Sequence, residues 1–332
     1  MTTEATSTQK TLDSLFSTTK QLENNCLVNK TRISPLAVTD FKLLFNNVKD
    51  IEFVENGLSM AICADCMQAL KKIRNNTINL IFADAPYNIG KNFGNNIDKW
   101  DSVKSYIDWC KQWIDECMRV LADDGTMYFM TATQHMPYLD TYVSEKYNVL
   151  CRIVWTYDSS GVQSKKIFGS LYEPILMINK NEKSKYTFNF QDILVTAKTG
   201  AERKLIDYRK DPPQPYNTDK VPGNVWDFSR VRFKMAEYEN HPTQKPEALL
   251  ERIIKASSNP GDIVLDPFSG SFTTSAVATR LGRYAIGIDM NEEFFEIGIR
   301  RTGISTEYKG KDLTKEKIRK TSAKSKFVRG KA

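Results

Sequence analysis

Ile78-Asn79-Leu80-Ile81-Phe82-Ala83 is a short, nearly continuous apolar run, and Asp84-Ala85-Pro86-Tyr87 closes it. A run of this kind without alternation fits a strand buried on both faces, and Pro86 lacks the backbone donor a ladder needs. The chain therefore presents a polar turn at the carboxyl end of a buried strand. Upstream, Met60-Ala61-Ile62-Cys63 predicts a second such strand, and 67–74 has the spacing of a crossover helix. Downstream come a loop rich in Gly and Asn (88–96), an amphipathic helix over 106–121, the turn Asp123-Asp124-Gly125 and a strand over 126–130. Strand and helix signals that alternate in this way predict an α/β fold with a parallel sheet.

A second unit has the same form. Gly261-Asp262-Ile263-Val264-Leu265-Asp266 predicts a strand, Pro267-Phe268-Ser269-Gly270-Ser271 a loop of mostly small residues, and 273–281 a helix that Gly282 ends. Tyr284-Ala285-Ile286-Gly287-Ile288 is the next strand, and it finishes at Asp289, 23 positions after Asp266. This is how a fold presents a nucleoside: the loop admits a ligand close to the backbone, and the second carboxylate reaches ribose hydroxyls. The G-x-G-x-x-G dinucleotide fingerprint is absent. Two further strands are predicted over 155–158 and 171–179.

Between these units, 182–240 shifts in composition. Pro212, Pro213, Pro215 and Pro222 interrupt it, and basic residues such as Arg203, Arg209 and Arg232 interleave with Tyr208, Tyr216, Trp226 and Phe233. The mixture suits nucleic-acid contact and equally a solvated surface. The 332 residues carry a formal charge of +7, yet 309–332 alone holds ten Lys/Arg against Asp312 and Glu316. The rest of the chain is thus near neutral, and the tail is an expected source of affinity for phosphate. Six Cys and two His give few metal ligands, so no metal is expected; Cys63 and Cys66 form one C-x-x-C without a second pair. The first twenty residues have no hydrophobic stretch and no segment is long enough for a membrane span, so a cytoplasmic location is expected.

Asp84-Ala85-Pro86-Tyr87 and Asp266 to Ser271 together resemble the signatures of amino-methylating DNA methyltransferases that use S-adenosylmethionine. The order is the permuted one of the beta type, with the catalytic tetrapeptide ahead of the cofactor loop. His241-Pro242-Thr243-Gln244-Lys245-Pro246 is similar to a third signature of that class. The resemblance covers roughly 57–302 and implies a seven-stranded, Rossmann-like methyltransferase sheet with an inserted target-recognition region. It divides the chain into a leader (1–40), a catalytic half (41–181), the recognition region (182–240), a cofactor-binding half (241–308) and the basic tail (309–332).

The resemblance also implies roles. Asp84, Ala85, Pro86 and Tyr87 are the expected catalytic residues. An exocyclic amino nitrogen is a poor nucleophile because its lone pair is delocalised into the ring. An acceptor pair, the Asp84 carboxylate and the Ala85 carbonyl, can take hydrogen bonds from both N–H groups and aim the nitrogen. Tyr87 offers a stacking face to a base flipped from the duplex. For S-adenosylmethionine, Asp65 and Cys66 are expected near the adenosine and Phe268, Ser269, Gly270 and Ser271 around the methionine part. Asp289 is expected at the ribose, Thr243 and Lys245 at the carboxylate, and His241, Asp266 and Asp84 close by.

Two positions depart from the family pattern. Ala85 stands where Pro is usual, which leaves the backbone acceptor intact. Phe272 stands where a second Gly is usual, and a bulky residue is expected to oppose positive φ, giving a differently shaped loop or weaker cofactor binding. The longer stretch from Asp84 to Asn96 resembles solitary adenine N6 methyltransferases acting on ATGCAT. Cytosine N4 methylation and a catalytically silent DNA-binding regulator are the rival readings. Gln9, Leu12, Leu15 and Phe16 have the spacing of peptides that dock on sliding clamps. The expected partners are thus double-stranded DNA, such a clamp, and a second copy of the chain.

Overall fold

The computed structural model describes residues 40–93, 98–159 and 165–304. The predicted strand at 78–83 is β3, Ile78–Asp84, and it lies in the middle of a nine-stranded mixed sheet. Its neighbours in sequence order are β1 (Glu52–Asn56), β2 (Ser59–Cys63), β4 (Leu121–Met130), β5 (Asn148–Thr156), β6 (Tyr172–Asn179), β7 (Val225–Asp227), β8 (Ile263–Asp266) and β9 (Tyr284–Asp289). The spatial order is β1-β2-β9-β8-β3-β4-β6-β5-β7. Strands β2, β9, β8, β3 and β4 are mutually parallel, and β6 turns antiparallel against both β4 and β5. The expected seven strands are β2 to β6, β8 and β9. Two short edge strands raise the number to nine: β1 folds back antiparallel on β2, and β7 adds to β5.

Side chains of β3 alternate between two cores, as its buried run requires. Ile81 and Ala83 face one core with the helices that follow β2, β3 and β4, whereas Leu80 and Phe82 face the other with Leu249, Leu250, Ile253 and Val277. On the first face α1 (Cys66–Leu70) is shorter than the predicted crossover helix; the chain turns at 71–73, where Ile73 bridges Phe45. Helix α2 (Val103–Val120) begins with a reciprocal Ser102–Ser105 capping box and buries Tyr106, Ile107, Cys110, Trp113, Ile114 and Cys117, one stripe at helical spacing. Helix α3 (Met136–Lys146) completes that layer. Helices α4 (Glu247–Ser257), α5 (Thr273–Arg280) and α6 (Glu292–Arg301) follow after residue 240.

The predicted turn at 123–125 lies inside β4. Leu121 pairs with Ile78 and Thr126 with Leu80, so 122–125 arches out of the ladder before the strand resumes. Segment 182–240 holds two short ribbons, Val195–Thr196 with Asp219–Lys220 and Ile206–Asp207 with Gln214–Pro215, and two helical turns, Phe190–Ile193 and Lys198–Glu202, and is otherwise irregular. It also supplies β7, where Trp226 pairs with Trp155. Among the described residues, no helix is long and apolar enough to cross a membrane.

Candidate active site

Strands β3 and β8 are neighbours in parallel register, so their carboxyl ends deliver the two signature turns side by side, with β9 and β2 next in line. This is where open α/β sheets bind ligands. A cavity of about 550 Å³ opens there. Asp65, Cys66, Asp84, Ala85, Pro86, Tyr87, His241, Thr243, Lys245, Asp266, Phe268, Ser269, Gly270, Ser271 and Asp289 all line it. Gln9, Leu12, Leu15, Phe16 and the tail 309–332 lie outside the described residues.

The loop after β8 is organised from both ends. Asp266 accepts the Phe268 N–H at 3.0 Å and the Thr274 hydroxyl at 2.5 Å, and Ser269 donates back to the Asp266 carbonyl at 2.9 Å. The Gly270 N–H is held by Asp289 Oδ2 at 2.8 Å, which ties the loop to the end of β9. Burial pushes the Asp266 carboxyl up to about 7 and the Asp289 carboxyl up to about 6. Gly270 has φ +49, and a Cβ there would stand 2.7 Å from His241 Nε2. His241 accepts the Thr243 N–H through Nδ1 at 3.3 Å and meets the Phe294 ring edge-on at 4.4 Å. Burial, with Lys245 and Lys91 adding to it, lowers its pKa to about 3, so the imidazole is neutral.

Phe272 does not oppose positive φ as expected. Phe272 adopts φ 55 and ψ 32, the left-handed conformation itself, and leads into α5. Its ring is fully buried with Ala61, Phe295 and Ile299, and it lies against the bare backbones of Gly287 and Gly298. Ring burial offsets the backbone strain, and the loop keeps the turn that a glycine would give.

Asp65 serves first as the N-cap of α1, accepting the N–H groups of Met67 and Gln68 through Oδ1 at 3.0 and 3.1 Å. Its Oδ2 makes neither bond. Burial pushes the neighbouring Cys66 thiol well above its ordinary value, so it stays protonated.

The turn after β3 is the more unusual part. Lys245 Nζ lies 2.8 Å from Asp84 Oδ2, and the Tyr87 hydroxyl lies 2.8 Å from Asp84 Oδ1. Both also reach Glu173 Oε2, at 3.4 Å from Lys245 and 2.9 Å from Tyr87. Burial raises the Asp84 pKa and the Glu173 charge adds to it, against the pull of Lys245. Burial works against the Lys245 charge, but the two carboxylates outweigh it and its pKa is raised. The Pro86 carbonyl accepts the buried Tyr106 hydroxyl at 2.8 Å, which fixes the turn from below.

Sequence reasoning missed Glu173 and Asp98. Glu173 opens β6, and its one signal is a carboxylate at the head of an apolar strand. Asp98 is buried beneath the loop that carries Tyr87, where its carboxylate accepts the N–H groups of Tyr87 at 3.0 Å, Ile89 at 2.7 Å and Gly90 at 3.2 Å. Asn291 donates to the Phe93 carbonyl at 2.7 Å and fastens the same loop to the end of β9.

The family model described as DNA methylase, covering N6 and N4 amino methylation, matches residues 78–300. The chain belongs to the DNA methylase family. It is 58% identical over 274 residues to DNA adenine methyltransferase YhdJ of Escherichia coli (strain K12), covering 82% of this chain and 92% of that one. It is 37% identical over 261 residues to type II methyltransferase M.HpaI of Haemophilus parainfluenzae, covering 78% of each. Among solved structures, the cytosine-N4-specific PvuII DNA methyltransferase aligns with a TM-score of 0.58 at 17% identity, over 80% of this chain and 91% of that one. The M1.HpyAVI–SAM complex aligns with a TM-score of 0.50 at 23% identity, over 73% and 99%. At these identities the solved structures establish the shared fold. This DNA methylase therefore has the α/β sheet of its structural neighbours, and its two signature turns open into one cavity.

Proposed function

We propose that this DNA methylase transfers a methyl group from S-adenosylmethionine to the N6 amino group of an adenine flipped out of duplex DNA. The observation that carries this reading is the cavity shared by the Asp84–Tyr87 turn and the Asp266–Ser271 loop, in a chain 58% identical to a DNA adenine methyltransferase. The cavity suits the cofactor. Gly270 lets the loop close on the neutral His241, and the buried Asp289 carboxyl, which accepts from the Gly270 and Asn291 N–H groups, has further lone pairs for hydroxyl donors. Asp289, with Asp65 and Cys66, would hold the nucleoside part. The 268–271 loop and Thr243, beside the neutral His241, would hold the amino-acid part. When bound, S-adenosylmethionine supplies a methyl group on a positively charged sulfur.

The protein's own contribution is to orient the acceptor. Asp84 and the Ala85 carbonyl accept hydrogen bonds from the two amino N–H groups, which turns the nitrogen lone pair out of conjugation and toward the cavity. Tyr87 stacks on the base, and Asp98 holds the loop that carries it. Segment 182–240, with exposed Tyr208, Phe233 and Met235, is the proposed target-recognition region. The leader peptide at 9–16 is proposed to dock on a sliding clamp.

The test is transfer of tritium from labelled S-adenosylmethionine to duplex DNA, starting with duplexes containing ATGCAT, for the parent and for Asp84→Ala. N6-methyladenine in the digested product of the parent alone is the expected result. N4-methylcytosine would replace the adenine reading, and no label in DNA of any sequence would end the enzymatic one.

A further inference from the structure

Asp84, Lys245 and Tyr87 would be complete without Glu173. One carboxylate, one ammonium and one hydroxyl form a neutral, hydrogen-bonded group. Glu173 adds a second carboxylate to a site where a single ammonium serves both, with side-chain exposures of only 9% for Lys245, 15% for Asp84 and 17% for Glu173. Burying a charge beyond the number of its partners opposes folding. The Tyr87 and Tyr157 hydroxyls donate to Glu173 but bring no charge, so the unbalanced negative charge sits beside the Asp84 turn.

We propose that Glu173 is a positioning residue for methyl transfer: it shares Lys245, which stays nearer Asp84 Oδ2, and competes with Asp84 for the one Tyr87 proton, so that Asp84 Oδ1 is free to accept from the adenine amino group. It also leaves the pocket with one net negative charge when the nitrogen becomes positive. This inference rests on the methyltransferase reading above. The amino nitrogen bonds to the methyl carbon with its own electron pair, the pair of the broken carbon–sulfur bond stays on sulfur, and the positive charge arrives at nitrogen. It remains there until one amino proton leaves to water. Without Glu173, Lys245 would be committed to Asp84, and the nitrogen would meet a neutral ion pair instead of an anion.

The geometry supports the sharing. Lys245 has three N–H groups and can serve both carboxylates at once, whereas the single Tyr87 proton serves one at a time. The Lys245 ammonium also sits 5.3 Å from the centre of the Tyr87 ring and 5.9 Å from that of Trp155, so its position is set from several sides. Glu173 reaches this point because β6 is antiparallel to β4, which brings its first residues to the carboxyl end of the sheet. Among the described residues, the other acids nearby are bonded elsewhere: Asp98 accepts from the loop N–H groups, and Asp266, which feels the Asp84 charge, accepts from the Phe268 N–H and the Thr274 hydroxyl.

The experiment compares Glu173→Gln with the parent in single-turnover methyl transfer across pH, together with calorimetric binding of S-adenosylmethionine, thermal unfolding and carboxyl NMR of Asp84 in the cofactor-free protein. The expected rate loss is about a hundredfold, the scale on which one preorganised electrostatic group acts. Cofactor affinity is expected within about twofold of the parent on that account. The NMR titration and the acid limb of the rate should both move to lower pH, because the Glu173 charge raises the Asp84 pKa. Glu173→Asp, which keeps the charge, should be at least several-fold faster than Glu173→Gln. If Gln at 173 prevents folding, Glu173→Asp against Glu173→Asn makes the same charge comparison at one side-chain length. A folded Gln variant with the parent's rate overturns the inference, as does an Asp variant no faster than its amide partner, or a loss confined to cofactor affinity. If the parent itself labels no DNA, the methyltransferase reading fails instead, and the two failures are distinct.

Discussion

Phe272 and Gly298 fill one another's space: a Cβ on Gly298 would stand 2.5 Å from Cγ of the Phe272 ring. The ring occupies the volume that an ordinary residue in α6 would need, and in exchange the loop after β8 has an apolar anchor. Left-handed backbone costs a non-glycine residue about 1–2 kcal/mol, whereas removing a buried Phe ring costs about 3–5 kcal/mol. Packing wins.

The first prediction follows from these magnitudes. Phe272→Ala should destabilise by about 3–5 kcal/mol in urea unfolding, and Phe272→Gly by about 1 kcal/mol less because glycine accepts the positive φ. Gly298→Ala should also destabilise, and combining it with Phe272→Gly should recover part of the loss, since the two residues compete for one volume. Ala at 272 equalling or exceeding Gly would show that the loop does not hold the left-handed turn.

Asp98 gives the second prediction, which concerns the loop that carries Tyr87. Its three N–H contacts are charge-assisted bonds inside the protein, each worth about 1.5–3 kcal/mol at the upper end of hydrogen-bond contributions. Asp98→Asn retains one acceptor for Ile89 and Gly90 but turns its amide N–H toward the Tyr87 N–H, donor against donor. The Tyr87 end of the loop should therefore loosen. Single-turnover transfer should drop by at least about tenfold, as misplacement of a reacting group does, while binding of S-adenosylmethionine changes less. Equal rates for Asn and Asp at 98 would remove the loop from the account of positioning.

How far all this is legible in the sequence depends on the range of the interactions. Strands β3, β8 and β9 can be read because buried parallel strands are unbroken apolar runs, and their terminal acids Asp84, Asp266 and Asp289 mark the carboxyl ends. The turn at 123–125 reads correctly as a change of direction, but its incorporation into β4 as an arch depends on Leu121 finding Ile78. Phe272 was open to misjudgement because the two glycines that make room for it lie on other elements. Glu173 is separated from Tyr87 by 86 residues, and only the antiparallel reversal of β6 brings them together. The short range of a motif thus locates the site, while the charge balance within it belongs to the tertiary fold.

A third prediction concerns pH. Asp266 and Asp289, with pKa values of about 7 and about 6, are cavity carboxyls that titrate near neutrality, and His241, at about 3, stays neutral throughout that window. A cationic ligand prefers the ionised carboxylates, so binding of S-adenosylmethionine should weaken as pH falls through 7 and again through 6, by up to about tenfold per unit below each value. Calorimetry between pH 7.5 and 5 on the parent and on Asp289→Ala checks it. The variant should bind more weakly at pH 7.5 and lack the lower step; an unchanged lower step would assign it to another group.

The fourth prediction separates affinity from recognition. The ten basic residues of 309–332 account for more than the whole positive surplus of the chain, whereas the proposed base-receiving site lies among Asp84, Tyr87, Glu173 and Lys245. Phosphate neutralisation lowers log K against log salt with a slope of about −0.9 per contact on duplex DNA. Removing 309–332 should therefore make the slope shallower by several units if most of those cations meet phosphates, and weaken binding alike on all sequences. Filter-binding titrations across salt, with sequencing of the methylated product, measure both quantities. A shortened protein that methylated a different site would place sequence recognition in the tail and refute the division. An unchanged slope would show that the duplex is held by the body of the protein, through the basic and aromatic surface of 182–240.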